Sequence, residues 1–264
     1  MRIGFCQYHV TRNPEENIRV VERLLTNCEA DLVVLPELAF SGYYFDSRKA
    51  LDAIYNNESH QAVMQRMLAL AKREKTTIVF GTVERAVDKR HNTIYVVDDS
   101  GILGSQRKMT RTVNEAVFDA GDQLAIIDVK GIKIGIITCF DTWFPEAARV
   151  LALQGAQLLC APSNFGGPWT KDVVKVRALE NGVHAVLTNR IGSEIIDGEA
   201  AVFRGESLIV DAHGDVLAEA GREEQVMVVE VDVSKNPRRA NLICDDVDAE
   251  RAKFSPYVRY DFDK

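Results

Sequence analysis

The strongest constraint on the fold is the alternation of short apolar runs with amphipathic stretches over the first two thirds of the sequence. The run from Asp31 to Leu35 is nearly all apolar, which is typical of a strand buried on both faces of a sheet. After Asn13 and Pro14, apolar residues recur at helical spacing. Asn13 is a suitable N-cap, and Pro14 suits the first helical position. This alternation predicts one domain of the α/β class.

The remaining elements follow the same two patterns. We expect strands at residues 2–8, 76–84, 92–98, 102–108, 157–161 and 185–191, and a hairpin of residues 124–129 and 132–138 about Lys130 and Gly131. Helices are predicted at residues 61–74, 144–154 and 171–181. Later strands are expected at residues 201–210, 215–220 and 226–231. Residues 236–264 show little periodicity, and we expect them to extend the single domain, residues 1–264, over its surface or against a neighbouring subunit.

The composition excludes several classes of protein. The chain has 264 residues, of which 46% are apolar, and its formal net charge is -7. No basic block stands out, so nucleic acid is not an expected partner. The apolar runs are far too short to span a bilayer, so no membrane association is expected. The first residues predict a strand and not a signal peptide, from which we expect a cytoplasmic location.

We do not expect the cysteines to form a disulfide or zinc framework, because their number is odd and none stand in a C-x-x-C pair. In chain order they are Cys6, Cys28, Cys139, Cys160 and Cys244. Four of them have ordinary surroundings and are expected to be packing residues or surface thiols. Cys139 differs because it lies between a predicted strand and a proline-containing helix start, where backbone N–H groups can stabilise a thiolate or an oxyanion.

Three reactive side chains lie at the ends of predicted strands. Glu37 follows the run that ends at Leu35, Lys108 closes the strand at 102–108, and Cys139 follows the strand at 132–138. Each has an ordinary explanation when taken alone, since strand-end glutamates and lysines are commonly solvated and a lone buried cysteine usually packs in a core. In α/β sheets, however, ligands bind outside the carboxyl ends of strands, so the three together predict a site.

These segments resemble the motifs of the nitrilase, or carbon–nitrogen hydrolase, superfamily over nearly the whole chain. Residues 31–43 are similar to its glutamate motif, and residues 139–141 (Cys-Phe-Asp) with 144–146 (Phe-Pro-Glu) are similar to its nucleophile motif. Glu115 stands where many members carry a second glutamate. The match continues at Asn164, residues 177–181, residues 189–192, Phe203, Gly205 and Ser207. The resemblance implies a four-layer α-β-β-α sandwich that pairs through its helices into a homodimer or a larger homo-oligomer.

The resemblance also implies a reaction, the hydrolysis of a non-peptide C–N bond through a cysteine thioester. A free thiol is only about 3% ionised at pH 7, so Cys139 needs a base, and Glu37 is the expected base. Lys108 and the backbone N–H of Phe140 are the expected oxyanion donors, and Glu115 would orient Lys108 or the attacking water. No metal or cofactor is expected, and the histidines are scattered rather than at ligand spacing.

Several nearby residues are candidates for the substrate pocket. Tyr43, Trp143, Asn164 and Phe165 are expected pocket walls. Arg111 could bind a substrate carboxylate, although an exposed loop arginine is the commoner case. The segment from 109 to 112 departs from the family pattern, so the resemblance does not identify the substrate.

Other residues in the motif blocks have an expected structural role. Asp141 and Thr142 are predicted to cap the helix that starts near residue 144. Glu146, Arg177 and Glu180 are predicted to form ion pairs that hold the loop carrying the nucleophile. Direct contact with substrate is the alternative for these three charged residues.

The leading hypothesis is an amidase or N-carbamoylamine amidohydrolase that acts on a small linear compound. Residues 139–149 are similar to those of putrescine-type carbamoylases, which slightly favours an N-carbamoyl substrate. A strict nitrilase is less favoured, because that branch places Trp-Glu after its cysteine and this chain has Phe140-Asp141. Two alternatives are a catalytically silent binding or assembly protein on the same fold, and an α/β-hydrolase with a cysteine nucleophile, which would need a later aspartate and then a histidine.

Overall fold

The computed structural model describes residues 1–196, 198–234 and 247–254. The described residues form fourteen strands: β1 (Arg2–Gln7), β2 (Leu32–Val34), β3 (Thr77–Arg85), β4 (Arg90–Asp98), β5 (Gly101–Arg107), β6 (Ile126–Val129), β7 (Ile132–Ile136), β8 (Leu158–Pro162), β9 (His184–Thr188), β10 (Ile191–Ile196), β11 (Glu199–Arg204), β12 (Leu208–Val210), β13 (Val216–Glu219) and β14 (Gln225–Glu230). They also form six α-helices: α1 (Pro14–Leu25), α2 (Arg48–Ile54), α3 (Asn57–Glu74), α4 (Pro145–Leu153), α5 (Thr170–Asn181) and α6 (Val247–Ala252). Two short 3₁₀ helices lie at Val113–Glu115 and Cys139–Trp143.

Twelve of these strands form two six-stranded sheets. The first sheet has the order β14-β1-β2-β3-β4-β5, and the second has the order β13-β12-β9-β8-β7-β6. Each sheet contains three adjacent parallel strands, β1-β2-β3 in the first and β7-β8-β9 in the second, and the outer pairs are antiparallel. Strands β10 and β11 form a separate hairpin. Both sheets are therefore mixed, with their parallel strands inside.

Three clusters of buried side chains define the layers. One cluster lies between the two sheets and combines Phe5 of the first sheet with Ile134 of the second. A second cluster packs the other face of the first sheet against α1 and α3, and a third packs the second sheet against α4 and α5. The central strands β2, β8 and β9 are buried on both faces, which explains why their sequences are nearly continuous apolar runs. The layer order is helix, sheet, sheet, helix, so the expected four-layer α-β-β-α sandwich is confirmed.

Local signals located several elements correctly. Helix α1 begins at Pro14, and the Asn13 side chain accepts a hydrogen bond from the Glu16 backbone N–H at 3.2 Å, as an N-cap does. The predicted hairpin joins β6 and β7 through Lys130 and Gly131, both with positive φ. These signals act over a few residues, and the structure follows them.

The sequence prediction was wrong for residues 201–210, which are two strands and not one. The extended backbone is interrupted at Gly205 and Glu206, both of which have positive φ. As a result, β11 pairs with β10 in the hairpin and β12 joins the second sheet. A Cβ atom at Gly205 would lie 2.6 Å from the Gln7 side chain, so the close approach requires glycine. Strand β10 and helix α2 were not predicted. The predicted C-terminal extension, residues 236–264, lies outside the described residues except for 247–254.

Candidate active site

The predicted reactive residues lie at strand ends of both sheets. Glu37 follows β2, Lys108 follows β5, and Cys139 follows β7 and opens a 3₁₀ helix. Glu115 lies in the other 3₁₀ helix. Because β2 and β5 belong to one sheet and β7 to the other, the residues meet only when the two sheets pack together.

Lys108 bridges the two glutamates. Its Nζ donates to Glu37 Oε1 at 2.8 Å and to Glu115 Oε1 at 2.6 Å. The lysine side chain is 2% exposed and both glutamates are fully buried, so bulk water does not screen this charge cluster. Two carboxylates and one ammonium group carry a net negative charge when all are ionised, which is costly in a buried site.

Burial and the neighbouring charges shift the pKa values of Glu37 and Lys108. Burial raises the pKa of Glu37 from an ordinary 4.5 to about 7, with Lys108 opposing the rise and Glu115 adding to it. Burial alone would lower the pKa of Lys108, but Glu37, Cys139 and Glu115 raise it above its usual value. Glu37 can therefore exchange a proton near neutral pH, while Lys108 stays charged.

Cys139 lies on a strained turn beside this cluster. Its φ is +49°, a left-handed conformation that few residues other than glycine adopt. The thiol is buried and donates a hydrogen bond to the Asn164 carbonyl at 3.7 Å. Burial and then Glu37 raise the pKa of the thiol well above its ordinary value, although Lys108 opposes this. The resting form of Cys139 is therefore the thiol, and its proton must be removed for the sulfur to react.

The predicted helix-capping role of Asp141 was wrong. Helix α4 has Phe144 at its N-cap, with no side-chain cap. The 3₁₀ helix at 139–143 moves the start of α4 away from Asp141. The Asp141 carboxylate instead accepts hydrogen bonds from the backbone N–H groups of Thr110 (2.8 Å), Met109 (3.3 Å) and Thr138 (3.3 Å). Asp141 thus ties the turn that carries Cys139 to the loop after Lys108.

Helix α5 holds the nucleophile turn from the other side. Thr142, the other predicted cap, donates its hydroxyl to the Cys139 carbonyl at 2.7 Å. The Arg177 guanidinium donates to the carbonyl of Thr142 at 3.0 Å and forms an ion pair with Glu180 at 3.1 Å. The predicted ion pair of Arg177 with Glu180 is confirmed.

Phe140 follows Cys139 in the first turn of the 3₁₀ helix, where backbone N–H groups have no partner within the helix.

Tyr43 and Asn164, two of the predicted pocket residues, border the charge cluster. The Tyr43 ring centroid lies 5.9 Å from Lys108 Nζ. The Asn164 side-chain nitrogen donates to the Glu37 carbonyl at 2.9 Å. The structure therefore brings both side chains next to the residues expected to react.

The other two predicted pocket residues have different surroundings. Phe165 packs in the core cluster under α4 and α5, and Trp143 is 44% exposed. Arg111 is exposed, and its guanidinium donates to the Phe118 carbonyl at 2.9 Å. A role for these three residues in substrate binding stays a prediction.

A buried ion pair that the sequence analysis missed supports the Tyr43 turn. The Glu194 carboxylate accepts hydrogen bonds from the backbone N–H groups of Tyr43 (2.9 Å) and Tyr44 (3.1 Å). It also pairs with Arg190, which is fully buried and lies 4.3 Å from the Phe203 ring centroid. In the sequence, Arg190 directly precedes β10 and Glu194 lies four residues later within it. This spacing is a weak signal for an ion pair, because the contact depends on the tertiary structure.

Asn92 is a second residue that sequence reasoning missed. It lies on β4, is 2% exposed, and donates its side-chain N–H to Glu37 Oε1 at 2.6 Å. The available signal was weak: an asparagine in a predicted strand, where this residue type is disfavoured, next to other polar residues of β4.

The described residues contain no cluster of three or more His, Cys, Asp or Glu side chains that could hold a metal ion. None of the helices in the described ranges has the length and apolar character needed to cross a membrane.

Comparisons with known proteins agree with this fold. The carbon-nitrogen hydrolase family model matches residues 2–236. A nitrilase from Pyrococcus abyssi is 34% identical over 83% of this chain and 85% of its own length. An N-carbamoylputrescine amidase from Solanum tuberosum is 32% identical over 88% of this chain and 86% of its own length. The crystal structure of a carbon-nitrogen hydrolase from Helicobacter pylori G27 has a TM-score of 0.87 at 26% identity and covers 99% of both chains. The chain belongs to the carbon-nitrogen hydrolase family and is an enzyme that hydrolyses carbon–nitrogen bonds.

Proposed function

We propose that this enzyme hydrolyses a small linear amide or N-carbamoyl compound through a thioester on Cys139. The observation that carries the proposal is the fully buried cluster in which Lys108 joins Glu37 and Glu115 beside a strained cysteine. Such a cluster costs free energy to bury, and perturbed ionisable groups of this kind concentrate at functional sites.

In the first step, Glu37 accepts the thiol proton while the sulfur of Cys139 attacks the substrate carbonyl carbon. Because the resting group is a thiol, proton transfer must accompany the attack. A Glu37 pKa of about 7 suits a group that takes and returns a proton near neutral pH. The carbonyl oxygen becomes an oxyanion, which receives hydrogen bonds from Lys108 and from the backbone N–H of Phe140.

In the second step, the C–N bond breaks as protonated Glu37 transfers its proton to the leaving nitrogen. Ammonia or an amine departs, and the acyl or carbamoyl group remains on Cys139 as a thioester. Glu37 then deprotonates a water molecule that attacks the thioester, the C–S bond breaks, and the proton returns to the thiol. Glu115 does not contact the substrate in this scheme. It holds Lys108 through the 2.6 Å hydrogen bond.

The substrate class is proposed from the relatives and from the pocket walls. Relatives named N-carbamoylputrescine amidase, from Solanum tuberosum and Arabidopsis thaliana, are 32% and 30% identical to this chain. A relative from Pseudomonas named (R)-stereoselective amidase is 31% identical. We infer that Tyr43 and Asn164 contact the substrate directly, since both border the charge cluster. Trp143 and Phe165 are proposed as outer parts of the same pocket.

A panel of primary amides, N-carbamoyl amines and nitriles tests the proposal. A primary amide should release ammonia and a carboxylic acid without carbon dioxide. An N-carbamoyl amine should release its amine together with ammonia and carbon dioxide, and a nitrile should be converted poorly. Cys139→Ala should abolish turnover, and Glu37→Gln should prevent both turnover and the adduct that iodoacetamide forms on Cys139. Undiminished turnover by Cys139→Ala would refute the mechanism. If nitriles were the preferred substrates, the proposed substrate class would be wrong and the enzyme would be a strict nitrilase.

We propose in addition that the enzyme is a homodimer that pairs through α4 and α5. These helices and the N-cap residue of α5 expose apolar side chains that a monomer would have to hydrate: Val150, Leu153, Val176, Leu179 and the N-cap Trp169. Leu153→Asp with Leu179→Asp should give a monomer in sedimentation velocity, whereas Ile102→Asp, at an exposed apolar position on β5, should leave the assembly unchanged. A wild-type monomer at micromolar concentration would contradict this proposal.

A further inference from the structure

The two carboxylate oxygens of Glu37 have different surroundings. Oε1 accepts two hydrogen bonds, from Lys108 Nζ at 2.8 Å and from the Asn92 side-chain nitrogen at 2.6 Å. Oε2 is buried and has no hydrogen-bond partner among the described residues. By contrast, both oxygens of Glu115 are engaged, Oε1 by Lys108 at 2.6 Å and Oε2 by the Thr112 backbone N–H at 2.9 Å. Within this cluster, Glu37 Oε2 is the oxygen left to accept a further proton.

Asn92 is held so that its nitrogen faces the carboxylates. The side-chain nitrogen lies 2.6 Å from Glu37 Oε1 and 3.5 Å from Glu115 Oε1, and an ionised carboxylate oxygen can only accept a hydrogen bond. The orientation of the amide is therefore determined by its partners. The backbone carbonyl of Asn92 also accepts the N–H of Lys108 at 2.8 Å. One residue thus binds both members of the Lys108–Glu37 pair.

An asparagine suits this position for a chemical reason. It is disfavoured in strands, and burying its amide costs free energy that only the side-chain nitrogen offsets, since the side-chain oxygen has no hydrogen-bond partner among the described residues. Its amide stabilises the ionised carboxylate without adding a further charge to the cluster. An apolar residue of similar size would leave Oε1 with Lys108 alone, and the carboxylate could then turn to share either oxygen with the ammonium group.

We propose that Asn92 is a positioning residue that binds Glu37 Oε1 and so directs Oε2 to exchange the proton with the Cys139 thiol. This inference rests on the proposed function. The proton moves from the sulfur to Oε2 in the first step and from Oε2 to the leaving nitrogen in the second, so Oε1 keeps its two hydrogen bonds throughout.

The charged and titratable groups that interact with Glu37 are Lys108, Glu115, Cys139, Tyr43 and Tyr44. Replacement of Asn92 leaves all five in place and removes one donor to the ionised carboxylate. The protonated form of Glu37 is then favoured, so the acid limb of the pH profile should move to higher pH. For the loss of one hydrogen bond to a charged group, we expect kcat to fall about tenfold to a hundredfold and the limb to move by about one pH unit.

The test uses Asn92→Leu, which keeps the size, and Asn92→Ser, which is smaller and guards against a folding failure of the first variant. Thr93→Val is the matched control, because Thr93 is a buried neighbour on β4 whose hydroxyl donates to Glu84 and not to the cluster. The rate at which iodoacetamide alkylates Cys139 is followed against pH by mass spectrometry, together with kcat, KM and the urea midpoint.

The expected result is a shifted acid limb for alkylation and for kcat/KM in the Asn92 variants, a lower kcat with KM little changed, and wild-type profiles in Thr93→Val. Unshifted profiles in folded Asn92 variants would overturn the inference, since a purely structural role would lower only the urea midpoint. If the wild-type Cys139 is not alkylated, or Cys139→Ala still turns over substrate, the proposed function fails instead. The two failures are therefore distinguishable.

Discussion

The replacement Glu37→Gln tests the electrostatics of the buried cluster separately from catalysis. In the wild type, two carboxylates share one ammonium group, so ionised Glu37 gives the cluster a net negative charge. Burial raises the pKa of Glu37 from an ordinary 4.5 to about 7, against the effect of Lys108 and with that of Glu115. Glutamine keeps the shape and cannot ionise, so the variant leaves Lys108 with one counter-charge, that of Glu115.

The magnitude follows from the two pKa values of Glu37. Between pH 4.5 and about 7, the folded protein holds a proton that the unfolded chain has released, so the free energy of unfolding falls as the pH rises. At 1.36 kcal/mol per pKa unit, the rise from 4.5 to about 7 corresponds to about 3 kcal/mol. This contribution is complete below pH 4.5 and lost above about pH 7. Glu37→Gln lacks this fall, so its stability relative to the wild type should increase by about 3 kcal/mol between about pH 4 and about pH 8.

Urea titrations across this pH range measure the difference in free energy of unfolding between Glu37→Gln and the wild type, provided that the protein concentration is fixed and the m-values agree. Glu58→Gln, which removes an exposed carboxylate from the first turn of α3, is the matched control. A Glu37→Gln difference that stays constant or decreases with pH would refute the reasoning. It would mean that the cluster does not oppose the ionisation of Glu37.

Three further variants test other parts of the site. Gly81→Ala would place a Cβ atom 2.8 Å from Glu37 Cα. We therefore expect the free energy of unfolding, measured by urea titration, to fall by about 1–3 kcal/mol and kcat to be lower. Unchanged values would contradict the close approach of β3 to Glu37. Glu194→Gln removes the partner of buried Arg190 and should cost about 3–5 kcal/mol by urea denaturation; a loss below about 1 kcal/mol would show that the pair contributes little. Asp141→Ala removes the acceptor of three backbone N–H groups and should lower kcat more than it changes KM, whereas a wild-type kcat in the folded variant would exclude a positioning role.

Much of the fold could be predicted because its signals are local. The N-cap at Asn13 and the turn at Lys130 and Gly131 depend on a few neighbouring residues, and the structure contains both. The prediction of one strand at 201–210 failed because it passed over the polar run from Arg204 to Ser207, which interrupts the apolar pattern. The packing of Gln7 against Gly205 shows why the chain must change direction there.

The side chains of the candidate site were predictable as types and as positions in the chain, but their contacts were not. The capping role expected for Asp141 was reasonable for an acid before a helix, yet the intervening 3₁₀ helix turns its carboxylate towards Thr110 and Thr138. Asn92 and Glu194 gave no clear sequence signal, because their roles consist of hydrogen bonds to residues far away in the chain.

The sequence by itself determined the alternation of strands and helices, the family, and the identity of Glu37, Lys108 and Cys139 as strand-end reactive groups. Only the tertiary structure decided that Lys108 lies between two carboxylates in a buried site, and that Asn92 binds one oxygen of Glu37 and leaves the other without a partner among the described residues. The physical reason is distance along the chain. Lys108 and Glu37 are 71 residues apart, and their 2.8 Å contact forms only when strands of the first sheet align. Burial then sets the pKa values that the chemistry requires.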